Sequence, residues 1–357
     1  MERKWDYGLD FTRAIAAIFV ITVHVFASNY NTDQVAYVGD LIASSGVFMF
    51  IVISGYTNSM KYEHIRRGPT YPYMLKKAFF KLLVPYFFWS LFYMIVNTIY
   101  KHQVFFSQRW FTRFLNHLWL GNTWFHLYFM VLLIYLYLIY PFFFRLIKRR
   151  KGWPLTIFLL VSPAILYLIM AQIKSVPWRS FMYFLPINWW GIMFVLGIIL
   201  AIKTSLTIWH QDFVHFMVAL SLTIASFFGY LMLNDLLIRL QKPNEGLAIV
   251  STYLRLLYSL AAFLLLYIIG SDLFKLFPGM KRFWHVLSRH SYTMYLSHPF
   301  LIFVMEQLRN QHLFFKTNTT GTMFGAWAII ILATFILSAL LDNLIKYFRG
   351  LFQEALT

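Results

Sequence analysis

Arg13 and His24 are ionisable residues in the first apolar run of the chain, residues 10–24. Eleven helical steps of about 100° return both side chains to nearly one face, with a rise of roughly 16 Å between them. Charged or titratable groups inside a membrane span are costly, so they face a cavity or a partner and mark functional paths. A neutral imidazole accepts a hydroxyl proton near neutral pH, which makes His24 a candidate base. The alternative is a histidine hydrogen-bonded between helices. Asp10 and Arg13 are spaced to pair on one helix face. They either anchor the helix at the inner interface or hold an anionic cofactor at the cytoplasmic mouth.

Further candidates follow along the chain. Lys76, Lys77 and Lys81 precede Pro85, and Lys81 follows Phe79 and Phe80 inside an apolar run. Lysines there are either ordinary positive-inside charge or groups that seek a phosphate or carboxylate, beside a helix that the proline kinks. Arg66 and Arg67 lie in the loop before them. Ser54-Gly55 offers a hydroxyl and a close-packing site. Trp124, His126 and Tyr128 open a middle helix on the outer side, where an aromatic belt is the default reading. His298 stands beside Pro299, and Arg255 and Glu306 are candidates for a buried pair on the outer half.

Composition states what positions these groups. The chain has 357 residues, 60% hydrophobic and only 12% charged, the profile of a multi-spanning membrane protein. Apolar runs of about 20 residues place ten spans near 11–28, 40–60, 79–100, 124–144, 155–172, 185–202, 212–234, 247–269, 286–307 and 321–345. The sixth and ninth are broken by polar residues. The fold expected is therefore an all-α polytopic bundle, residues 1–357 forming a single membrane domain with a core of about 6–345 and no separate soluble domain. The absence of cysteine excludes disulfides, thiolate metal sites and an acyl-cysteine intermediate. No metal site is expected. The net charge of +18 points to topology rather than nucleic acid, because the basic residues sit in short loops. Lys61, Arg66, Arg67, Lys76 and Lys77 crowd one such loop; Arg145, Lys148, Arg149, Arg150 and Lys151 crowd another. This bias places both termini in the cytoplasm. The outer segment 101–123 is read as a loop. Asn318-Thr319-Thr320 is a formal glycosylation sequon of little weight.

In order and spacing these stretches resemble the acyltransferase-3 family of bacterial integral membrane O-acyltransferases. Leu9-Asp10-x-x-Arg13-Ala-Ile-Ala with His24 is similar to its first-helix pattern. Gly46 through Phe48 and Phe50 to Ser54-Gly55 resembles the second, and Lys76 to Pro85 the third, where lysines replace the family's usual arginines and lose the bidentate fork. Trp124-Phe125 and Ser291 to His298-Pro299 resemble the remaining two. Size and the lack of an appended domain are similar to the branch of the poly-N-acetylglucosamine O-succinyltransferase and the enterobacterial common antigen O-acetyltransferase. The resemblance implies a multi-pass protein of the bacterial plasma membrane that moves an acyl group, acetyl first, from cytoplasmic acyl-CoA to a glycan hydroxyl outside. His24, Arg13 and Asp10 would then be catalytic. Lys76, Lys77, Lys81, Arg66, Arg67 and Ser54 would hold the donor, and Trp124, His126, Tyr128, Arg255, His298 and Glu306 the acceptor. Acyl-CoA is a donor substrate and no cofactor stays bound; membrane lipids and a cell-surface glycan are the partners, with a homodimer left open. The alternative is an exporter or flippase for a polysaccharide or lipid-linked sugar, against which no inverted repeat is visible.

Overall fold

A chain this apolar must satisfy its backbone polar groups internally, and helices do so within one segment. The computed structural model describes residues 6–62, 68–149, 152–173, 185, 187–204, 206, 212–240, 244–311 and 319–354, all of them helix, turn or connection with no strand. In order the helices are α1 (Tyr7–Phe26), α2 (Gln34–Ala43), α3 (Gly46–Ser59), α4 (Tyr71–Ala78), α5 (Val84–Tyr100), α6 (Gln108–Leu120), α7 (Tyr128–Lys148), α8 (Gly152–Gln172), α9 (Trp189–Ile202), α10 (Phe213–Leu240), α11 (Glu245–Leu276), α12 (Lys281–Asn310) and α13 (Thr320–Glu354). Each expected span coincides with one or two of them. Among the described residues eight helical stretches are long and apolar enough to cross a membrane. The two expected spans outside that set have different reasons: α9 has only 14 residues, whereas α12 is 30 residues long but rich in polar side chains. Arg66, Arg67 and Asn318 lie outside the described residues.

The helices divide into two compact units, residues 1–50 with 207–357, and residues 51–206. In the first unit α1 and α12 run parallel, because residues near Asp10 meet Ser288 and His285 while His24 meets His298. α13 runs against both: Phe26 touches Phe324 and Trp327 donates from its indole to Thr22 at 2.8 Å. The chain therefore starts and ends on one face, as the loop charges require. Ala14, Ile21, Val25 and Phe26 of α1 join Leu287, Met294 and Ile302 of α12 and Met323 and Ile330 of α13 in one apolar core.

The second expected span is not continuous. Ser44 and Ser45 turn their hydroxyls back onto the Leu41 and Ile42 carbonyls, at 2.7 and 3.1 Å, competing with the helical pattern. α2 ends and α3 begins across that break. Buried carbonyls released this way need donors, and α11 supplies them: Tyr258 donates to Ile42 O at 2.8 Å and Arg255 to Ser44 O at 3.1 Å. The Arg255 guanidinium also lies over the Phe48 ring, 5.2 Å from its centroid. Among the described residues no ion pair joins Arg255 to Glu306, which corrects that candidate pairing. Arg255 is instead committed to a helix break.

In the second unit α3 and α9 touch backbone to backbone. A Cβ on Gly55 would lie 2.2 Å from the Phe194 carbonyl oxygen, and one on Gly197 2.2 Å from that of Val52; only glycine fits such a crossing. The proline expected to kink the third span acts through a π turn over Phe79–Leu83, where the Val84 N–H donates to the Phe79 carbonyl. The segment read as an outer loop contains α6, an amphipathic helix. Its Trp110 and Phe114 pack with Met94 of α5, and the Trp110 indole donates to Thr98 at 2.9 Å. The apolar run alone could not show it because its apolar positions are spaced for one face only.

Two outcomes follow. Arg255→Met removes the donor from a buried carbonyl and should cost about 1–3 kcal/mol, read as a lower melting temperature of the purified protein. At the start of α2, Asp33 accepts a hydroxyl hydrogen bond from Thr320 and backbone N–H bonds from Ala36 and Val35; these, the Thr320 bond foremost, hold its carboxyl below the usual range. That stabilisation is complete above the ordinary aspartate range and is lost as pH falls through the depressed value. Acid titration of thermal stability should be steeper for the native protein than for Asp33→Asn.

Candidate functional site

His24 does not lie mid-span. α1 begins at Tyr7 and ends at Phe26, so the imidazole occupies its last turn, roughly 25 Å along the axis from the first residue. There it lines a cavity of about 50 Å³ together with Ser28, Met305, Glu306, Arg309, Thr322 and Met323. The cavity belongs to the face opposite the chain termini, which the positive-inside bias assigns to the outside. Glu306 and Arg309 rim it from α12. The His24 ring stacks on His298 with centroids 5.3 Å apart and planes 20° from parallel. His298 is fully buried. Its Nδ1 donates to the Met294 carbonyl at 3.2 Å, which places the ring proton on Nδ1 and the lone pair of the neutral ring on Nε2.

Asp10 and Arg13 form a second polar cluster at the start of the same helix. Asp10 is buried, and its two oxygens are both engaged. His285 Nδ1 donates to Oδ2 at 2.9 Å and the Ser288 hydroxyl to Oδ1 at 2.8 Å, while Arg13 Nη1 stands 3.7 Å from Oδ1 and donates to Ser288 at 3.4 Å. Arg13 and His24 both meet α12, yet they serve separate places on it. Asp10 and Arg13 therefore have geometry for positioning at the inner end and none for acting directly on a group bound at His24.

A third cluster joins α12 to α13 through residues that no sequence motif marks. His290 Nδ1 donates to Asp342 Oδ2 at 2.5 Å and the Thr293 hydroxyl to Oδ1 at 2.7 Å, tying α12 to α13. No local pattern in the sequence marks His285, Ser288, His290, Arg309 or Asp342. The one available signal was numerical: His285 and His298 are thirteen residues apart, nearly the Asp10–His24 spacing, as two parallel helices in contact require.

Lys76, Lys77 and Lys81 and the aromatic residues Trp124, His126 and Tyr128 belong to the second unit. Lys77 is half-buried; its ammonium donates to the buried Asn58 side chain and lies over the Tyr137 ring, 5.5 Å from the centroid. Lys76 and Lys81 are exposed, Lys81 within the apolar stretch Tyr71–Tyr100. Ser54 is half-buried beside Gly55. α7 begins at Tyr128, and residues 124–127 form turns before it. His126 is buried among rings: Tyr93 edge-on at 5.2 Å, Phe125 at 5.7 Å, with Tyr93 itself stacked on Trp124 at 4.9 Å. Tyr128 faces Trp190 at 6.4 Å.

A protein-family model described as an acyltransferase domain matches residues 6–342. No curated protein and no solved structure matches the chain.

The buried carboxylate makes a checkable ordering. Asp10→Asn removes the charge that His285, Ser288 and Arg13 share and should lower stability by about 3 kcal/mol. Ser288→Ala removes one neutral donor and should cost about 1 kcal/mol. Equal losses in thermal melts of the two variants would contradict the assignment.

Proposed function

We propose, for a chain that belongs to the acyltransferase-domain family and is an acyltransferase, transfer of an acetyl group from cytoplasmic acyl-CoA to a hydroxyl of an extracytoplasmic or lipid-linked cell-surface glycan, at the bacterial plasma membrane. The observation that carries this reading is His24 on the wall of a cavity that also presents a carboxylate, Glu306, and a guanidinium, Arg309. A base beside both kinds of hydrogen-bonding group suits a polyhydroxylated acceptor, whose hydroxyls donate to carboxylate and accept from guanidinium.

The steps balance without a further reactant. The acceptor hydroxyl oxygen attacks the thioester carbonyl carbon while its proton passes to the His24 imidazole, and the carbonyl electron pair moves onto oxygen. As that oxyanion collapses, the carbon–sulfur bond breaks and the thiolate takes the proton back from the imidazolium. Donors aimed at the developing oxyanion would lower the barrier further. The His298 ring stacked on His24 restricts its rotation and keeps the base oriented. Asp10 and Arg13 act at the other end of α1. Trp124 and Tyr128 are half-buried aromatic rings of the second unit, His126 is enclosed by its neighbours' rings, and Arg255 acts structurally. A thioester that enters from the basic face needs a long arm to reach the last turn of α1, which a pantetheine thioester has. Membership of the polysaccharide-modifying branch is part of this proposal.

His24→Ala should reduce acyl transfer by about 10²–10⁴-fold with an unchanged gel-filtration profile, measured by mass spectrometry of surface glycans and by transfer in membrane vesicles. Undiminished acylation by that variant would refute the assignment, and glycan movement with no change in acyl content would favour an exporter.

A further inference from the structure

The first unit has a second cavity, at the end of the bundle opposite His24. It has a volume of about 590 Å³ and is lined by Tyr7, Pro278, Gly279, Lys281, Arg282 and His285. The turn through Pro278–Met280 that joins α11 to α12 forms its floor, and a Cβ on Gly279 would meet nothing within 4 Å. Among the described residues, the ionisable side chains in its lining are a lysine, an arginine, a histidine and a tyrosine, with no carboxylate. The described acids of that end have partners: Asp6, beside Tyr7, accepts from the Leu9 N–H at 3.1 Å and from the Tyr267 hydroxyl at 3.3 Å. Asp10 stands behind the wall, buried and held by His285, Ser288 and Arg13, and Asp272 pairs with Lys275 at 2.7 Å.

The groups are also held in place. Lys281 Nζ lies over the Tyr7 ring, 5.3 Å from its centroid, which fixes the stem of a flexible side chain. His285 is anchored through Nδ1 to Asp10 Oδ2 at 2.9 Å. Lys281 and Arg282 are also the first two residues of a 30-residue helix, whose dipole adds positive potential at the same point. Two cations, an anchored imidazole and a helix start around an open hollow favour a multiply charged anion, which phosphate groups provide.

We infer that this hollow binds a phosphate-bearing ligand, and that the Asp10–Arg13 pair of α1 serves it by positioning His285. The two sources of phosphate at that face are the nucleotide of an acyl-CoA donor and the headgroup of an anionic phospholipid. Naming the nucleotide as a source rests on the proposed acyl transfer; the phosphate site itself does not. Occupied by the nucleotide, the hollow would seat the donor on the same pair of helices that carries His24 and His298.

Adenosine 3′,5′-bisphosphate carries two of the donor's three phosphates without pantetheine or thioester, so it separates binding from transfer. The full-length protein is compared with the double variant Lys281→Gln/Arg282→Gln in nanodiscs of phosphatidylcholine, with and without phosphatidylglycerol, and thermal stability is read as a function of added bisphosphate. Loss of two charge-assisted contacts should raise the half-saturating bisphosphate concentration about tenfold or more. Lys275→Gln, which removes a lysine already paired with Asp272, should leave it unchanged. Stabilisation by phosphatidylglycerol that the double variant loses, with no response to bisphosphate, assigns the site to a lipid headgroup and equally supports it. Binding that is the same in native and double-variant protein, or absent from both, overturns the inference. Acyl transfer is assayed separately: native protein that transfers acyl groups but fails these tests loses only the site. Native protein that binds bisphosphate through Lys281 and Arg282 but transfers nothing keeps the site and loses the proposed reaction.

Discussion

The buried carboxylate of Asp10 sets the register on which the first unit depends. It receives a histidine and a serine from α12 on its two oxygens, with the arginine of its own helix beside it. Removing an unpartnered charge from water is prohibitive, whereas a carboxylate with two hydrogen-bond donors and a guanidinium beside it is tolerable, so α1 and α12 can slide past one another only by breaking that set. Parallel α-helices rise equally per residue. Register imposed at Asp10 is therefore transmitted along both helices, and it brings His24 against His298 thirteen to fourteen residues later. A polar cluster at one end thus fixes which two rings stack at the other.

The same accounting explains the break between α2 and α3. A helix interrupted inside an apolar bundle exposes carbonyls that water cannot reach. Here two serine hydroxyls, one tyrosine hydroxyl and one guanidinium cover the carbonyls of Leu41, Ile42 and Ser44. Arg255 stands inside a span for this reason, and its charge is spread further by the Phe48 ring. An intramembrane arginine invites a catalytic reading, but its bonds show that it completes a backbone.

The first unit is chemically asymmetric along its length. Toward the chain termini it carries Tyr7, Lys281, Arg282 and His285 around a wide hollow; toward the opposite face it carries His24, Glu306 and Arg309 around a narrow one. α1 spans the two. A cationic rim suits a charged carrier, and a titratable base with mixed hydrogen-bonding groups suits a neutral hydroxyl, so the ends of one helix differ in the chemistry that they can hold. The second unit answers a different demand. Its glycines permit α3 and α9 to meet at backbone distance, and its π turn absorbs Pro85 without ending the helix.

Much of this architecture is legible in the residues alone. Apolar runs located every helix that corresponds to a span, because burial in hydrocarbon imposes a length and a composition that local sequence must meet. Lysine and arginine placement implied two ends on one face, and the antiparallel packing of α1 on α13 agrees. The spacing of Asp10, Arg13 and His24 marked one polar face of α1, since helical geometry turns spacing into direction. Partners were not legible. That Asp10 takes His285 rather than Arg13 alone, that Arg255 serves Ser44 rather than Glu306, that Lys77 turns to Asn58, and that His24 shares a cavity with Arg309 were all decided by tertiary structure. Those contacts join residues far apart along the chain, and a side chain's choice among donors depends on which helix face is brought within hydrogen-bonding distance, a quantity that no local pattern encodes.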